Sequence, residues 1–376
     1  MIINLQKPIT KFIFFGIILI SLFIFQKSNF NTVIDSTNIF LSSILPSLFP
    51  FLLFSNMLLN LDGLIILKPI LKDKYYFTFC IITGFLCGYP VGAKFVSTFL
   101  NEKKITYSQA RLLLSFVNNC NPIFILSTIG LSILNNTYYA LILLASHYIS
   151  AIIIFLIHYS HNIIHKTSKN SNDFKINETK ILHNSVFYSI NESVKSTLYT
   201  LWNIFSYTTI FSLLYSCIKE LLNSLNISRK YITIIAPFFE TTSGIKEIFH
   251  QTNFNITTTL CIISFFLGFS CLSIIFQIYS CIYNDKISIL YIVKNKLIQG
   301  CISSLITYIS LNTLRFFNFN LPINDVFSLN ILNQNYSRYS YFVICVTILY
   351  LLVISFNITK NSIKLHLNRN KNKKVT

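Results

Sequence analysis

Gly88-Tyr89-Pro90-Val91-Gly92-Ala93-Lys94 interrupts an apolar run that extends from about Tyr75 to Leu100. A helix that merely faces lipid has no use for two glycines, a proline and a lysine. Gly and Pro weaken the helical ladder, and a Lys at mid-bilayer costs about 2.5–3.5 kcal/mol on insertion scales. Interrupted backbone at membrane depth is tolerated where it packs within protein or lines a cavity. The heptapeptide therefore predicts a helix that stops near Gly88 and restarts after Pro90. The restart would turn free amides, a positive helix end and Lys94 toward a polar or anionic ligand. The competing reading is a packing kink with Lys94 reaching the interface. Lys94 lies about two helical turns before the Asn101-Glu102-Lys103-Lys104 turn, which favours ligand handling. Gly88, Tyr89, Pro90, Gly92 and Lys94 are accordingly candidate substrate contacts.

The rest of the composition fits a membrane chain. Hydrophobic residues make up 53% of the 376 positions and charged residues 11%, against about a quarter charged in soluble proteins. The net charge of +18 does not indicate nucleic acid. Lys outnumbers Arg 25 to 5, whereas nucleic-acid surfaces cluster their charge and favour Arg. The one basic cluster is the tail from Lys360 to Thr376, which the positive-inside rule assigns to the cytoplasm. Most cysteines lie in apolar runs and none forms a C-x-x-C pair, so neither disulfides nor zinc are expected. No P-loop, nucleophile elbow, H-E-x-x-H or Rossmann fingerprint occurs. No enzymatic activity, cofactor or metal is expected.

Apolar segments are expected at roughly 12–26, 38–60, 75–100, 108–134, 137–158, 194–222, 256–283, 288–310 and 341–357. Tyr231–His250 is too polar to span alone but could line an interior. The organisation read from these runs is an N-terminal anchor (1–34), a first half (35–160), a polar connecting loop (161–192), a second half (193–312), a polar loop (313–340), and a last helix with a basic tail (341–376). The fold class is an all-α polytopic membrane protein with broken or re-entrant helices. Gly84-Phe85-Leu86-Cys87 recurs as Gly268-Phe269-Ser270-Cys271, and Asn101-Glu102-Lys103-Lys104-Ile105 as Asn284-Asp285-Lys286-Ile287. This suggests an internal repeat with an offset of 182–184, an arrangement common in transporters.

Three further clusters carry polar groups within apolar surroundings. In Ser115-Phe116-Val117-Asn118-Asn119-Cys120-Asn121-Pro122, Asn118 and Asn121 would share a face if the segment is helical, and amides both donate and accept. Asparagine enrichment with a helix-ending turn explains the cluster equally well. In Pro237-Phe238-Phe239-Glu240-Thr241-Thr242-Ser243-Gly244, Glu240 could pair with Lys94, coordinate a cation or relay a proton. Ser243 could cap a helix or present its hydroxyl. Gln277 stands alone in an apolar helix and could face the same cavity or join helices. The histidines His158, His161 and His165 could share a face, but no cysteine or carboxylate lies close by, and a solvated face explains them better.

Taken in order, Gly88 through Lys94, Ser115 through Asn118, Asn121-Pro122, Glu240 through Gly244, Gly268-Phe269, Leu272-Ser273 and Gln277 resemble the YlbJ-type sporulation integral membrane proteins of endospore-forming Firmicutes. That family is similar to proteins with the nucleoside-recognition, or Gate, domain. The resemblance implies two Gate-like halves, a link to spore formation, and nucleoside binding by analogy alone. Where the family pattern has paired glycines after Gly-Phe in the second copy, this chain has Ser270-Cys271. The resulting expectation is a permease for a small polar or anionic solute, in the cell membrane or a forespore-surrounding membrane. The alternative is a non-transporting scaffold for spore envelope assembly. Its partners would be the lipid bilayer, an unknown small solute, and a second copy or other sporulation membrane proteins, with no nucleic acid.

Overall fold

The computed structural model describes residues 8–60, 75–165, 186–251, 254–282 and 287–316. The connecting segment 166–185, the turn Asn284-Asp285-Lys286, the expected helix 341–357 and the basic tail lie outside them. Among the described residues there is no strand. The helices are α1 (Pro8–Ile24), α2 (Gln26–Asn60), α3 (Tyr75–Leu86), α4 (Val91–Asn101), α5 (Tyr107–Phe116), α6 (Phe124–Ile133, wound with π-type turns), α7 (Thr137–His165), α8 (Val186–Ser224), α9 (Arg229–Phe239), α10 (Thr241–Gln251), α11 (Ile256–Phe269), α12 (Leu272–Ile282) and α13 (Ile289–Phe316). Five of the described helical segments are long and apolar enough to cross a membrane: α2, α7, α8, the α11–α12 unit and α13. The chain is an all-α polytopic membrane protein.

Several boundaries differ from those read in the sequence. Helix α2 is continuous from Gln26, although Gln26–Ile39 is too polar for a lipid-facing turn. Its polar side chains are used against α8. Ser28 Oγ donates to Glu220 Oε1 at 3.0 Å and lies 3.1 Å from Ser216 Oγ. At the other end Asn56 Nδ2 donates to Thr197 Oγ1, and Asn60 Nδ2 to Ser193 Oγ, each at 2.9 Å. The two helices therefore run antiparallel. Within α2, Phe40–Ile44 forms a π-type turn just before Pro46, a widening that accommodates a residue with no N–H to give. The polar loop expected over 161–192 is helical at both ends, because α7 continues to His165 and α8 starts at Val186.

The run 75–100 breaks as expected. Gly88 has φ +83°, and a Cβ there would meet the backbone N of Asn121 at 2.9 Å, so both conformation and space require glycine. The Tyr89–Pro90 peptide is cis. Tyr89 N leaves the helical ladder and donates to Asn119 O at 2.8 Å. The run 108–134 also breaks: α5 ends at Phe116 and α6 begins at Phe124. Asn118 and Asn121 thus lie in non-helical backbone and do not share a helix face.

The order of elements repeats. Helices α3 to α7 start at Tyr75, Val91, Tyr107, Phe124 and Thr137, and α9 to α13 start at Arg229, Thr241, Ile256, Leu272 and Ile289. Each therefore recurs about 150 residues later, each set follows a long helix, and those two long helices, α2 and α8, are the antiparallel pair. The register differs from the 182–184 offset suggested by letter matches. The break after α3 corresponds to the break at Glu240, and the Asn118–Asn121 break corresponds to Ser270-Cys271. Details follow this register. Thr106 caps α5 by accepting from Gln109 N, and Asn255 caps α11 by accepting from Thr258 N. Gly92 packs against the Cα of Gly84, and Gly244 against Pro237.

Ser270 has φ +63° and Cys271 φ +22°. The backbone at the second break is thus of the kind glycine adopts most readily, although neither residue is glycine. The short turn lets Gly268 on α11 pack directly on Gly300 of α13. Ser264, Ser303 and Thr307 continue that crossing as a chain of hydroxyls, at 2.8 Å and 2.7 Å. Small residues and interhelical hydroxyls hold helices together in lipid, where the hydrophobic effect does not.

Candidate functional site

Three of the four breaks, and the helix α12 that follows the fourth, border two adjoining cavities. The larger, about 560 Å³, is bordered by Pro90, Lys94, Ser97 and Thr98 from the first break, by Tyr199, Thr200, Asn203 and Tyr207 of α8, and by Phe276, Gln277 and Tyr279 to Cys281 of α12. The smaller, a chamber of about 40 Å³, is bordered by Tyr89, Cys120, Asn121, Glu240 to Thr242 and Gln277, with Ser47 and Thr208 from the two long helices. Gln277 borders both, and the Tyr89–Pro90 peptide contributes one residue to each.

Lys94 follows from the restart of α4 at Val91, where its backbone N donates to Pro90 O at 3.0 Å. Its ammonium donates to Ser196 Oγ at 2.6 Å, Thr200 Oγ1 at 3.1 Å and Asn56 Oδ1 at 3.2 Å. All three acceptors are neutral, and no Asp or Glu borders the large cavity. Among the described residues Lys94 forms no salt bridge with Glu240, so the suggested pairing of the two is not made. A cation held only by neutral dipoles in a cavity leaves a net positive field for an incoming group.

Glu240 lies between α9 and α10 and caps the latter. Its Oε1 accepts from Thr242 N at 2.9 Å, and its Oε2 accepts from Ser243 N at 2.6 Å and Ser243 Oγ at 2.7 Å. Ser243 is therefore engaged with Glu240, and neither its hydroxyl nor its amide is directed to the large cavity. Asn121 joins two breaks. Its Oδ1 accepts from Ile123 N at 2.7 Å and its Nδ2 donates to Leu86 O at 3.0 Å. Gly92 lies inside the first half against Val117 and Gly84, so its contribution is close packing. Asn118 borders neither cavity.

Asn118 instead faces residues that sequence reasoning passed over. Lys296 on α13 is fully buried and donates to Asn118 O and, at 2.8 Å, to Gln299 Oε1. Gln299 Nε2 donates to Asn119 Oδ1 at 2.9 Å. From α7, His147 Nε2 accepts from Cys120 N at 2.9 Å. Lys296 and His147 thus partner the Asn118 carbonyl and the Cys120 amide of the unwound segment, and Gln299 holds the Asn119 side chain. A lysine and a histidine inside the apolar runs 288–310 and 137–158 gave the same signal as Lys94 and could have been found by it. Among the remaining candidates, His158 contacts Asn295 at 2.7 Å. No group of three His, Cys, Asp or Glu suited to a metal occurs among the described residues, and the eight cysteines within them are free.

No protein-family model and no solved structure matches the chain. The chain is similar to the sporulation integral membrane protein YlbJ of Bacillus subtilis (strain 168). Identity is 23% over 291 residues, covering 68% of this chain and 71% of that protein. The motifs of the sequence resemble that same group of proteins.

Proposed function

We propose that this chain is a sporulation-associated membrane permease for a small polar or anionic solute, and that it has no catalytic activity. The observation that carries the reading is Lys94, held by three neutral acceptors at the edge of a cavity of about 560 Å³ with no acidic residue on its wall. Broken helices at corresponding positions of antiparallel repeats supply the backbone arrangement that transporters use for solute sites. The link to sporulation rests on the printed name of the similar protein, and the Gate-like character of the halves on the motif resemblance.

In this reading the solute enters the large cavity, its anionic or polar end accepts from Lys94, and Tyr89, Pro90 and Gln277 form the wall it must pass. A homo-oligomer or a complex with other sporulation membrane proteins would surround this pathway without forming it. The test begins with a thermal-shift screen of purified protein over nucleosides, amino acids, dipicolinate and metal ions. Flux of the stabilising compound is then measured in proteoliposomes. Lys94→Ala is expected to lower solute affinity by about tenfold or more. Flux unchanged by Lys94→Ala would remove Lys94 from the pathway. A chain with no solute-dependent shift, whose function in spores depends on its exposed segments and not on Lys94, would be a scaffold.

A further inference from the structure

Glu240 is a buried acidic side chain with no basic side chain beside it. It is 6% exposed, its three hydrogen-bond donors are neutral, and no Lys, Arg or His borders the small chamber. The start of α10 contributes about half a positive charge at most. Uncompensated charge away from water is costly.

The chamber wall has a second, independent peculiarity. Several of its polar groups give a hydrogen elsewhere and leave oxygens for the space. Ser47 Oγ donates to Ile44 O at 3.0 Å, and Thr208 Oγ1 to Ile204 O at 3.0 Å. Gln277 Nε2 donates to Ser273 Oγ at 3.1 Å, while Gln277 Oε1 is buried with no partner. Thr241 Oγ1 is also buried and has only the weak Cys271 thiol beside it. A buried acceptor without a donor costs about 1–3 kcal/mol. A ring of oxygens around one carboxylate is the complement of a hard cation.

We propose that the small chamber binds one alkali cation of the Na⁺ or Li⁺ class, through Glu240, Gln277 Oε1, Thr241 Oγ1 and the hydroxyls of Ser47 and Thr208. The volume of about 40 Å³ is a few times the 10–15 Å³ that one water needs (about one probe sphere), room for one ion with at most a few waters. A single positive charge neutralises the single carboxylate, whereas a divalent ion would leave an excess. Gln277 also borders the large cavity, which makes it the side chain through which ion and solute sense each other. That coupling rests on the permease reading; ion binding itself does not.

The test uses the purified full-length chain in detergent. Thermal unfolding is followed as choline chloride is replaced by NaCl, LiCl, KCl or MgCl₂ at constant ionic strength. Na⁺ or Li⁺ is expected to raise Tm saturably, as a ligand of the native state does. Glu240→Gln is expected to abolish the shift, and Gln277→Met to weaken apparent affinity by about tenfold. If Glu240→Gln does not fold, Gln277→Met and Thr208→Val decide. A Tm indifferent to alkali cations, or equally responsive in the variants, overturns the site, as does a response to pH alone. None of these readouts involves transport, so their failure leaves the solute reading to its own test.

Discussion

Lys296 of α13 hydrogen-bonds the backbone carbonyl of Asn118, more than 170 positions earlier in the chain. A fully buried lysine nitrogen thus substitutes for the helical N–H that the unwound segment after α5 lacks. Lys296→Ala is expected to destabilise the protein by about 3 kcal/mol or more, through an orphaned carbonyl and a new cavity. Lys296→Gln, which retains a donor, should cost less. Thermal unfolding in detergent ranks the two, and equal losses would reduce Lys296 to a space-filling role.

The first break depends on close approach of two backbones. A Cβ at Gly84 would run into the carbonyl and Cβ of Val117, whereas one at Gly92 would meet the same residue at 3.0–3.1 Å. Gly84→Ala is therefore expected to cost more than Gly92→Ala, the latter by about 1–3 kcal/mol. Yield and monodispersity in size-exclusion chromatography give the order directly, and a well-folded Gly84→Ala protein would contradict it.

Ser270 and Cys271 occupy left-handed backbone at the second break. Replacing Ser270 by Gly is expected to raise stability by about 1 kcal/mol, since the non-glycine penalty there is about 1–2 kcal/mol and glycine returns part of it as unfolded-state entropy. Ser270→Ala, which keeps the penalty, serves as the control. A Tm lowered by Ser270→Gly would mean that the weak bonds from its hydroxyl to Leu267 O and Gly268 O outweigh backbone relief.

Lys94 and Asn56 are predicted to be coupled. Hydrogen bonds to charged groups contribute about 1.5–3 kcal/mol, and this one is shared among three acceptors. A double-mutant cycle on Lys94→Met and Asn56→Leu should give an interaction of about 1 kcal/mol. Additive losses would indicate that the ammonium is satisfied by Ser196 and Thr200 alone.

The membrane class was legible because it depends on apolar content and run length, and the first break because Gly88 and Pro90 act locally. The repeat register was not. Letter matches joined Gly84-Phe85 to Gly268-Phe269, while the folded chain aligns the latter with the Asn118–Asn121 break. Helix starts and caps, such as Thr106 and Asn255, carried the true spacing, and they depend on residue class more than on identity. Of the candidate site, Lys94, Glu240 and Gln277 stood out as polar groups in apolar runs. What they touch could not be read in advance. Glu240 turns to its own helix, Asn118 to Lys296, and the long helix α2 supplies Asn56 from a stretch that looked like ordinary spanning sequence.

The buried lysine on α13 also bears on how the protein is made. Its most apolar window, within Ile289–Leu314, has a mean hydropathy of 1.3, against 2.5 for the window in Thr137–Ser160, and it brings Lys296 to a fully buried position. Alone in a bilayer, that side chain would keep only Gln299, one turn along its own helix, as a partner. The Asn118 carbonyl that receives it belongs to a segment translated earlier. The order of synthesis therefore places the receiving carbonyl in the chain before the helix that binds it.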